Sequence, residues 1–395
     1  MPFIVLSAIS SRLRGHPPRS GWKARLGAGK TFPKTKDRIL LHAVSVGEVN
    51  AIRGLVENLT HKGRQLVISV TTDTGIARAE VLFGKDHPIV RYPLDFSWSV
   101  NTFLNRMNPS IIVLVELEVW PNMLRISKER NIPVVVVNGR LSDRSYKRYK
   151  LVSRLLNPTF GRISAVAMQN ELYSSKAQSL GAQNVSVLGT MKWDNAIIRD
   201  TVDGAEELAA DLGIDRNKPL IVAGSTTPEE HLLLLESIPE GVQLLVAPRR
   251  PEWFSQAEKT FSPCNKRTNK IRIDTRFFVL DTIGELTLAY ALADIAVIGR
   301  SFVPLHGSDP TEPIGLGKPT IIGPNVSDFD DIVRAFHKGN GIVQCENSAL
   351  ADELSNLLND KERRKTLVKN GRKVIESNQG ATKEYAKLIE KVISS

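Results

Sequence analysis

Cysteine is nearly missing, with only Cys264 and Cys345 in 395 residues. The two stand far apart without metal-type spacing, and the few histidines form no H-x-x-x-H pattern. Neither a disulfide framework nor a zinc site is expected, and a reducing cytoplasm is the default setting. Aromatic residues supply only 6% of the chain. No nucleic-acid reader motif appears, which argues against nucleic acid. Both phosphate-loop signatures, G-x-G-x-x-G and G-x-x-x-x-G-K-[ST], are also lacking, which argues against a dehydrogenase and an NTPase. Long apolar runs are missing too. The opening "MPFIVLSAISSRLRG" carries an apolar run about half the roughly 20 residues needed to span a bilayer. Its arginines follow that run, whereas a signal peptide places its charges first. An interfacial toe-hold or a first helix tucked on the domain is expected.

What remains is a soluble globular composition, 42% hydrophobic and 24% charged, long enough for two domains. The net charge of +11 is uneven. Residues 1–195 hold 28 Lys and Arg against 13 Asp and Glu, whereas residues 196–395 hold 25 against 29. So one-sided a field suits anionic lipid or an anionic acceptor, unless it is simply a solvated basic surface.

From Arg38 onward, near-continuous apolar runs alternate with amphipathic stretches. "RILLHAVSV" precedes "EVNAIRGLVENL", "SIIVLVELEVW" precedes "NMLRISKER", and "IPVVVVNGR" precedes "LSDRSYKRYKLVSRLL". A second series begins at "PLIVAGST" and runs through "QLLVAPRR", "FFVLD", "DIAVIG" and "PTIIG". The pattern predicts an α/β protein of two doubly wound, Rossmann-like domains. The expected division is residues 1–195, a polar linker at 196–218, and residues 219–395. Ligands in such sheets sit at the carboxyl ends of strands, and two facing units create a cleft between them.

Several acids stand where strands should end. Glu48, in "SVGEV", opens a helix, and an acid in a first helical turn is favoured by the helix dipole. The residues alone leave it between a helix-starting role and a general base. Glu118, in "ELEVWPN", shares strand alternation with Glu116, where two acids in a buried strand call for partners. Lys192 ends the last strand of the first series, with Asp194 beside it.

Taken together, "HAVSVGEV", "TTDTG", "YPLD", "ELEVWPNML", "VNGRLSDRSYKRY", "GTMKWD", "PRRPEWF", "DTIGELTLAY" and "DPTEPIGLGKPTIIGP" resemble, in order and rough spacing, the 3-deoxy-D-manno-octulosonic acid (Kdo) transferases of lipopolysaccharide core synthesis. The resemblance covers nearly the whole chain from about Trp22. It implies a GT-B fold with an acceptor-binding amino domain, whose basic surface faces the membrane, and a nucleotide-sugar-binding carboxyl domain. It also implies inverting transfer of Kdo from CMP-Kdo to the lipid A precursor lipid IVA, with no metal or cofactor. The place of action would be the cytoplasmic face of a bacterial inner membrane, peripherally or through an N-terminal anchor.

By the same resemblance Glu48 is the general base, Glu118 stabilises positive charge on the sugar, and Lys192 offsets negative charge on phosphate or carboxylate. Donor contacts would come from Pro248, Arg249, Ile283, Gly284, Glu285, Asp309, Pro310, Thr311 and Glu312, with Glu312 accepting two ribose hydroxyls. Each donor position also suits a bare helix start. The chain departs from the family pattern in this half. G-G-H-N-x-x-E becomes His306 to Glu312 with Ser308 and Asp309 substituted, S-T-H becomes Ser225, Thr226 and Thr227, and the second glycine of G-G-S is Arg300. Arg250 likewise replaces a histidine. Asp309 beside a phosphate calls for neutralisation by Arg250 or Arg300. Two alternatives remain, a related transferase with another nucleotide-sugar donor and a non-catalytic lipid A or nucleotide-binding paralogue.

Overall fold

The computed structural model describes residues 20–35, 37–151 and 158–394. The apolar opening segment read above lies outside them. The described chain falls into two units. One comprises the described residues up to Asn195 together with those from Gln379 onward, and the other runs from Ala196 to Asn378.

The amino unit holds seven strands, β1 (Arg38–Ala43), β2 (Gln65–Val70), β3 (Ile89–Arg91), β4 (Ile111–Val115), β5 (Val134–Gly139), β6 (Ala165–Met168) and β7 (Val185–Val187). All pair in parallel, in the order β3-β2-β1-β4-β5-β6-β7. Branched residues fill them because a parallel sheet is covered on both faces. The period of two then divides each strand between two cores. Ile39, Leu41, Val113 and Val135 pack with Ile52 and Leu55 on one face. Leu40, Ile112, Leu114 and Val136 pack with Phe103 and Leu104 on the other.

The carboxyl unit repeats the plan with β8 (Leu220–Thr226), β9 (Gln243–Pro248), β10 (Asn265–Lys266), β11 (Phe277–Val279), β12 (Ile295–Ile298), β13 (Thr320–Ile322) and β14 (Val343–Gln344). Their order is β10-β11-β9-β8-β12-β13-β14, again all parallel. Strand order reverses between β1 and β4 in one unit and between β8 and β12 in the other. Helix starts diverge there and leave a crevice at the strand carboxyl ends.

Six helices matter below: α1 (Val46–Ala51), α2 (Pro228–Ser237), α3 (Leu286–Leu292), α4 (Thr311–Gly315), α5 (Lys361–Asn378) and α6 (Ala381–Ile393). The last departs from the expected boundaries, because it belongs to the amino unit. Its Ala381, Tyr385, Ala386 and Ile389 are buried in the same core as Ile39 and Leu41. The Tyr385 hydroxyl donates to the Gly189 carbonyl at 2.6 Å. Asp194 accepts from the backbone N–H groups of Gly380 and Thr382 at 2.5 and 2.6 Å, so it caps α6. The stretch expected as a linker is also structured. A helix at Ala205–Leu212 buries Leu208, Ala209 and Leu212 and packs on α3. Among the described residues no helix is long and apolar enough to cross a membrane.

Tyr385→Ala should cost about 3–5 kcal/mol, the range for deleting a large buried ring. Thermal or urea melting of the full chain measures this, and a loss below about 1 kcal/mol would contradict the placement of α6 in that core.

Candidate active site

In the amino unit the chain leaves β1 and turns at Ser45, whose extended backbone caps α1. Glu48 is the third helical residue and folds back over that start. The Val44 N–H donates to its Oε2 at 2.7 Å and the Ser45 hydroxyl donates to its Oε1 at 2.9 Å. Ser45 Oγ in turn accepts from the Glu48 N–H at 3.5 Å. Glu48 therefore does close a helix start, much as a capping box does. It is also only 7% exposed. Burial pushes its pKa up to about 8, and the nearby Glu116 and Glu118 add to the rise against the two hydrogen bonds.

The acids after β4 are placed differently from the expected alternation. β4 stops at Val115, and Glu116 takes a left-handed backbone, φ 58°, so the chain turns there before Glu118. Such a conformation costs a non-glycine residue about 1–2 kcal/mol. The turn aligns Glu116 with Val137, whose carbonyl accepts its N–H at 2.9 Å. Burial raises the Glu116 pKa, opposed by Arg140 and Lys192. Glu118 is pushed up to about 7 by burial and then by Glu116. The same carboxylate acts on Tyr149, whose hydroxyl rises to about 12 mainly through burial.

The amino-unit group is thus three half-buried or buried carboxylates, Glu48, Glu116 and Glu118, interacting across the β1/β4 switch point, with Arg140 and Lys192 bearing on Glu116. Sequence reasoning found Glu48, Glu118 and Lys192 and gave Glu116 and Arg140 no role. The available signal was position, since each is the first residue beyond a buried apolar strand. The acid next to Lys192 in sequence, Asp194, is engaged with α6.

In the carboxyl unit Pro248 ends β9, and the exposed Arg249 is held by its N–H on the Thr226 carbonyl at 3.0 Å. Tyr290 is buried against β8, where a Cβ on Gly224 would stand 2.0 Å from its hydroxyl. Burial raises the Tyr290 pKa, Glu312 and Asp309 add to the rise, and Arg249 opposes it. Arg249, Tyr290, Asp309 and Glu312 therefore share one neighbourhood. Glu312 is itself raised, first by burial and then by Asp309, against a hydrogen bond from the Thr287 hydroxyl and the charge of Arg199.

Asp309 is compensated in an unexpected way. Its Oδ1 accepts from the Thr311 N–H at 2.9 Å and the Thr311 hydroxyl at 2.7 Å, so it starts α4 just ahead of Pro310. The arginines expected to neutralise it are occupied elsewhere. Arg250 lies 3.5 Å from Glu252 and over the Trp253 ring, and Arg300 donates to the Leu305 carbonyl at 2.8 Å. A dipeptide unit satisfies the aspartate locally, and no long side chain has to be ordered.

Ile283, Gly284 and Glu285 stand just before α3, which opens at Leu286 with Glu285 as its cap residue. Ile283 and Gly284 are exposed, and Gly284 has φ 100°. The Glu285 carboxylate faces Arg267 at 3.1 Å, and Arg267 also pairs with Asp211 at 2.5 Å. That carboxylate is committed to an ion-pair network and does not join the Arg249 and Glu312 group.

Arg300 stands where the pattern the chain resembles has glycine, and its φ of 62° lies in the left-handed region that favours glycine. A residue that sequence reasoning missed holds this turn. Glu230, 1% exposed, accepts from the N–H groups of Thr227 at 3.0 Å, Arg300 at 2.8 Å and Phe302 at 3.1 Å. Burial raises its pKa and those N–H groups lower it. The visible signal was the capping box formed by Thr227 and Glu230.

Two doubly wound parallel units, each with charged groups at strand carboxyl ends, make up the GT-B fold. Acinetobacter baumannii MurG has this fold, with a TM-score of 0.57 and 15% identity over 91% of this chain and 100% of its own. Residues 20–195 match the family described as 3-deoxy-D-manno-octulosonic-acid transferase (kdotransferase). The 3-deoxy-D-manno-octulosonic acid transferase of Haemophilus influenzae is 32% identical, over 89% of this chain and 86% of its own. That of Bordetella pertussis is 28% identical over 95% and 91%. The chain belongs to the Kdo transferase family and is a glycosyltransferase.

Glu230→Gln should cost about 1–3 kcal/mol, because an amide must turn one donor toward N–H groups that now meet carboxylate oxygens. Urea melting measures it, and an unchanged midpoint would show that the turn at Arg300 holds without Glu230.

Proposed function

We propose that this chain transfers Kdo from CMP-Kdo to the lipid A precursor lipid IVA, inverting the anomeric carbon without a metal or cofactor, at the cytoplasmic face of the inner membrane. The observation that carries this reading is Glu48. It is a buried carboxylate fixed by Val44 and Ser45 at the switch point, with a pKa pushed up to about 8 beside two further acids. A general base works best when its pKa lies near the working pH.

In this reading the ionised Glu48 takes the proton of the acceptor hydroxyl as that oxygen attacks the anomeric carbon. Glu118 stabilises positive charge developing on the sugar ring. Kdo is itself an acid, and Arg140 and Lys192 supply cations for its carboxylate. In the carboxyl unit Arg249 balances the phosphate of departing CMP, and Glu312 accepts ribose hydroxyls. The excess positive charge of residues 1–195 suits a phosphorylated lipid acceptor at an anionic surface.

One observation favours a second reading, a different nucleotide-sugar donor. Asp309 consumes the Thr311 N–H, and the Thr287 hydroxyl already donates to Glu312. Both groups belong to the part of the unit that resembles the donor site. Calorimetric titration of CMP and other nucleotides separates the readings. If another nucleotide binds wild type and CMP binds neither wild type nor Asp309→Asn, the donor assignment fails.

Incubation with CMP-Kdo and the precursor, read by mass spectrometry, tests the activity directly. Glu48→Gln should lower turnover by about 10² or more, and wild-type kcat/KM should rise with pH through about 8 as Glu48 ionises. Turnover within a few-fold of wild type would leave Glu48 with the helix start alone.

Stability runs the opposite way. A carboxyl whose folded pKa is raised from 4.5 to about 8 contributes stability below pH 4.5, and that stability is lost as pH rises through 8. Glu48→Gln should therefore match wild type in melting near pH 4 and melt higher near pH 9. Equal melting at both pH values would show that the acid is not destabilised by its surroundings.

A further inference from the structure

A cavity of about 550 Å³ opens in the carboxyl unit where β12 and β13 begin, at the sheet edge opposite Arg249 and Glu312. Lys318 stands at the entry to β13. The face of α5 supplies Lys361, Arg364, Lys365, Lys369 and Arg372, and Asp294 is the one acid in the lining. The spacing of three, four and eight residues from Lys361 puts the first four cations on one side of the helix.

Among the described residues, three of these six cations are answered within the protein and three are not. Asp294 accepts from the Leu220 N–H at 2.9 Å. Arg364 donates to the Leu357 and Leu358 carbonyls. Lys365 pairs with Glu362 at 2.7 Å, and Arg372 pairs with Asp200 at 2.8 Å while its Nε is buried without a partner. Lys318, Lys361 and Lys369 make no ion pair among the described residues. Burial lowers the Lys318 pKa; Arg216 and Arg372 add to this, and Asp294 and Asp200 oppose it. A half-buried ammonium that makes no ion pair is unfavourable until an anion joins it.

We propose that this cavity is a binding site for an anion carrying more than one phosphate group, separate from the transferase site. Its volume suits a compact ligand reached from solvent, and clustered arginine and lysine donors suit phosphate oxygens. The lining has no aromatic side chain on which a base would stack, which disfavours single-stranded nucleic acid. A soluble diphosphate and a phospholipid head group share the required chemistry.

The test uses the full chain and two probes, inorganic pyrophosphate by calorimetry and cardiolipin, whose head group carries two phosphates, in phosphatidylcholine vesicles by co-sedimentation, both at low salt. The variant Lys361→Glu, Lys365→Glu, Lys369→Glu changes exposed positions only. A control of equal charge, Lys259→Glu, Lys270→Glu, Lys338→Glu, changes exposed lysines elsewhere on the same unit. Lys318→Gln reports the half-buried position. At least tenfold weaker pyrophosphate binding in the first variant and in Lys318→Gln, with the control near wild type, supports the site with a soluble ligand. The same pattern seen only with vesicles supports it with a lipid head group. Equal losses in the control, or no loss in the cavity variants with either probe, overturns the proposal. No sugar donor or acceptor enters these measurements, so their outcome is independent of the transfer reaction.

Discussion

A parallel sheet covered on both faces leaves only its edges for chemistry. Branched residues fill β1, β4 and β5 so completely that polar groups gather where each strand stops and the chain turns. In the amino unit those stops bring Glu48, Glu116 and Glu118 into one electrostatic neighbourhood. The shifts follow from that placement, since burial raises all three carboxyls and Glu116 adds to the rise of Glu48 and Glu118. The site's acidity is a property of the sheet edge more than of any one residue.

The carboxyl unit answers the same constraint with backbone. Glu230 takes three main-chain N–H groups and Asp309 takes the start of α4. Hydrogen bonds from N–H groups stabilise the charged form without a partner ion. The unit can therefore carry acids beside its crevice while Arg249 stays exposed.

Much of this was legible in the sequence because it depends on periodicity. Continuous apolar runs separated by helical stretches specified two doubly wound units, and the order of many short motifs specified the family. Glu48 was legible as a position but not as a pKa, which depends first on its burial and then on Glu116 across the switch point. The turn at Glu116 broke the alternation that sequence pattern assigned to it, because a left-handed backbone has no periodic signature. The compensation of Asp309 was misjudged since local side-chain to backbone bonds compete well with long arginines. The return of α6 was not visible at all. An amphipathic helix does not state which core it completes.

That return sets an order of assembly. Residues of the amino unit leave the ribosome before the carboxyl unit, yet Tyr385 and Ile389, which close one of its two cores, leave only after it. The carboxyl unit, complete by Asn378, has all its residues available before the amino unit does. A nascent chain thus holds an unsealed apolar face through most of its synthesis, and the half that is made first is the half that finishes folding last.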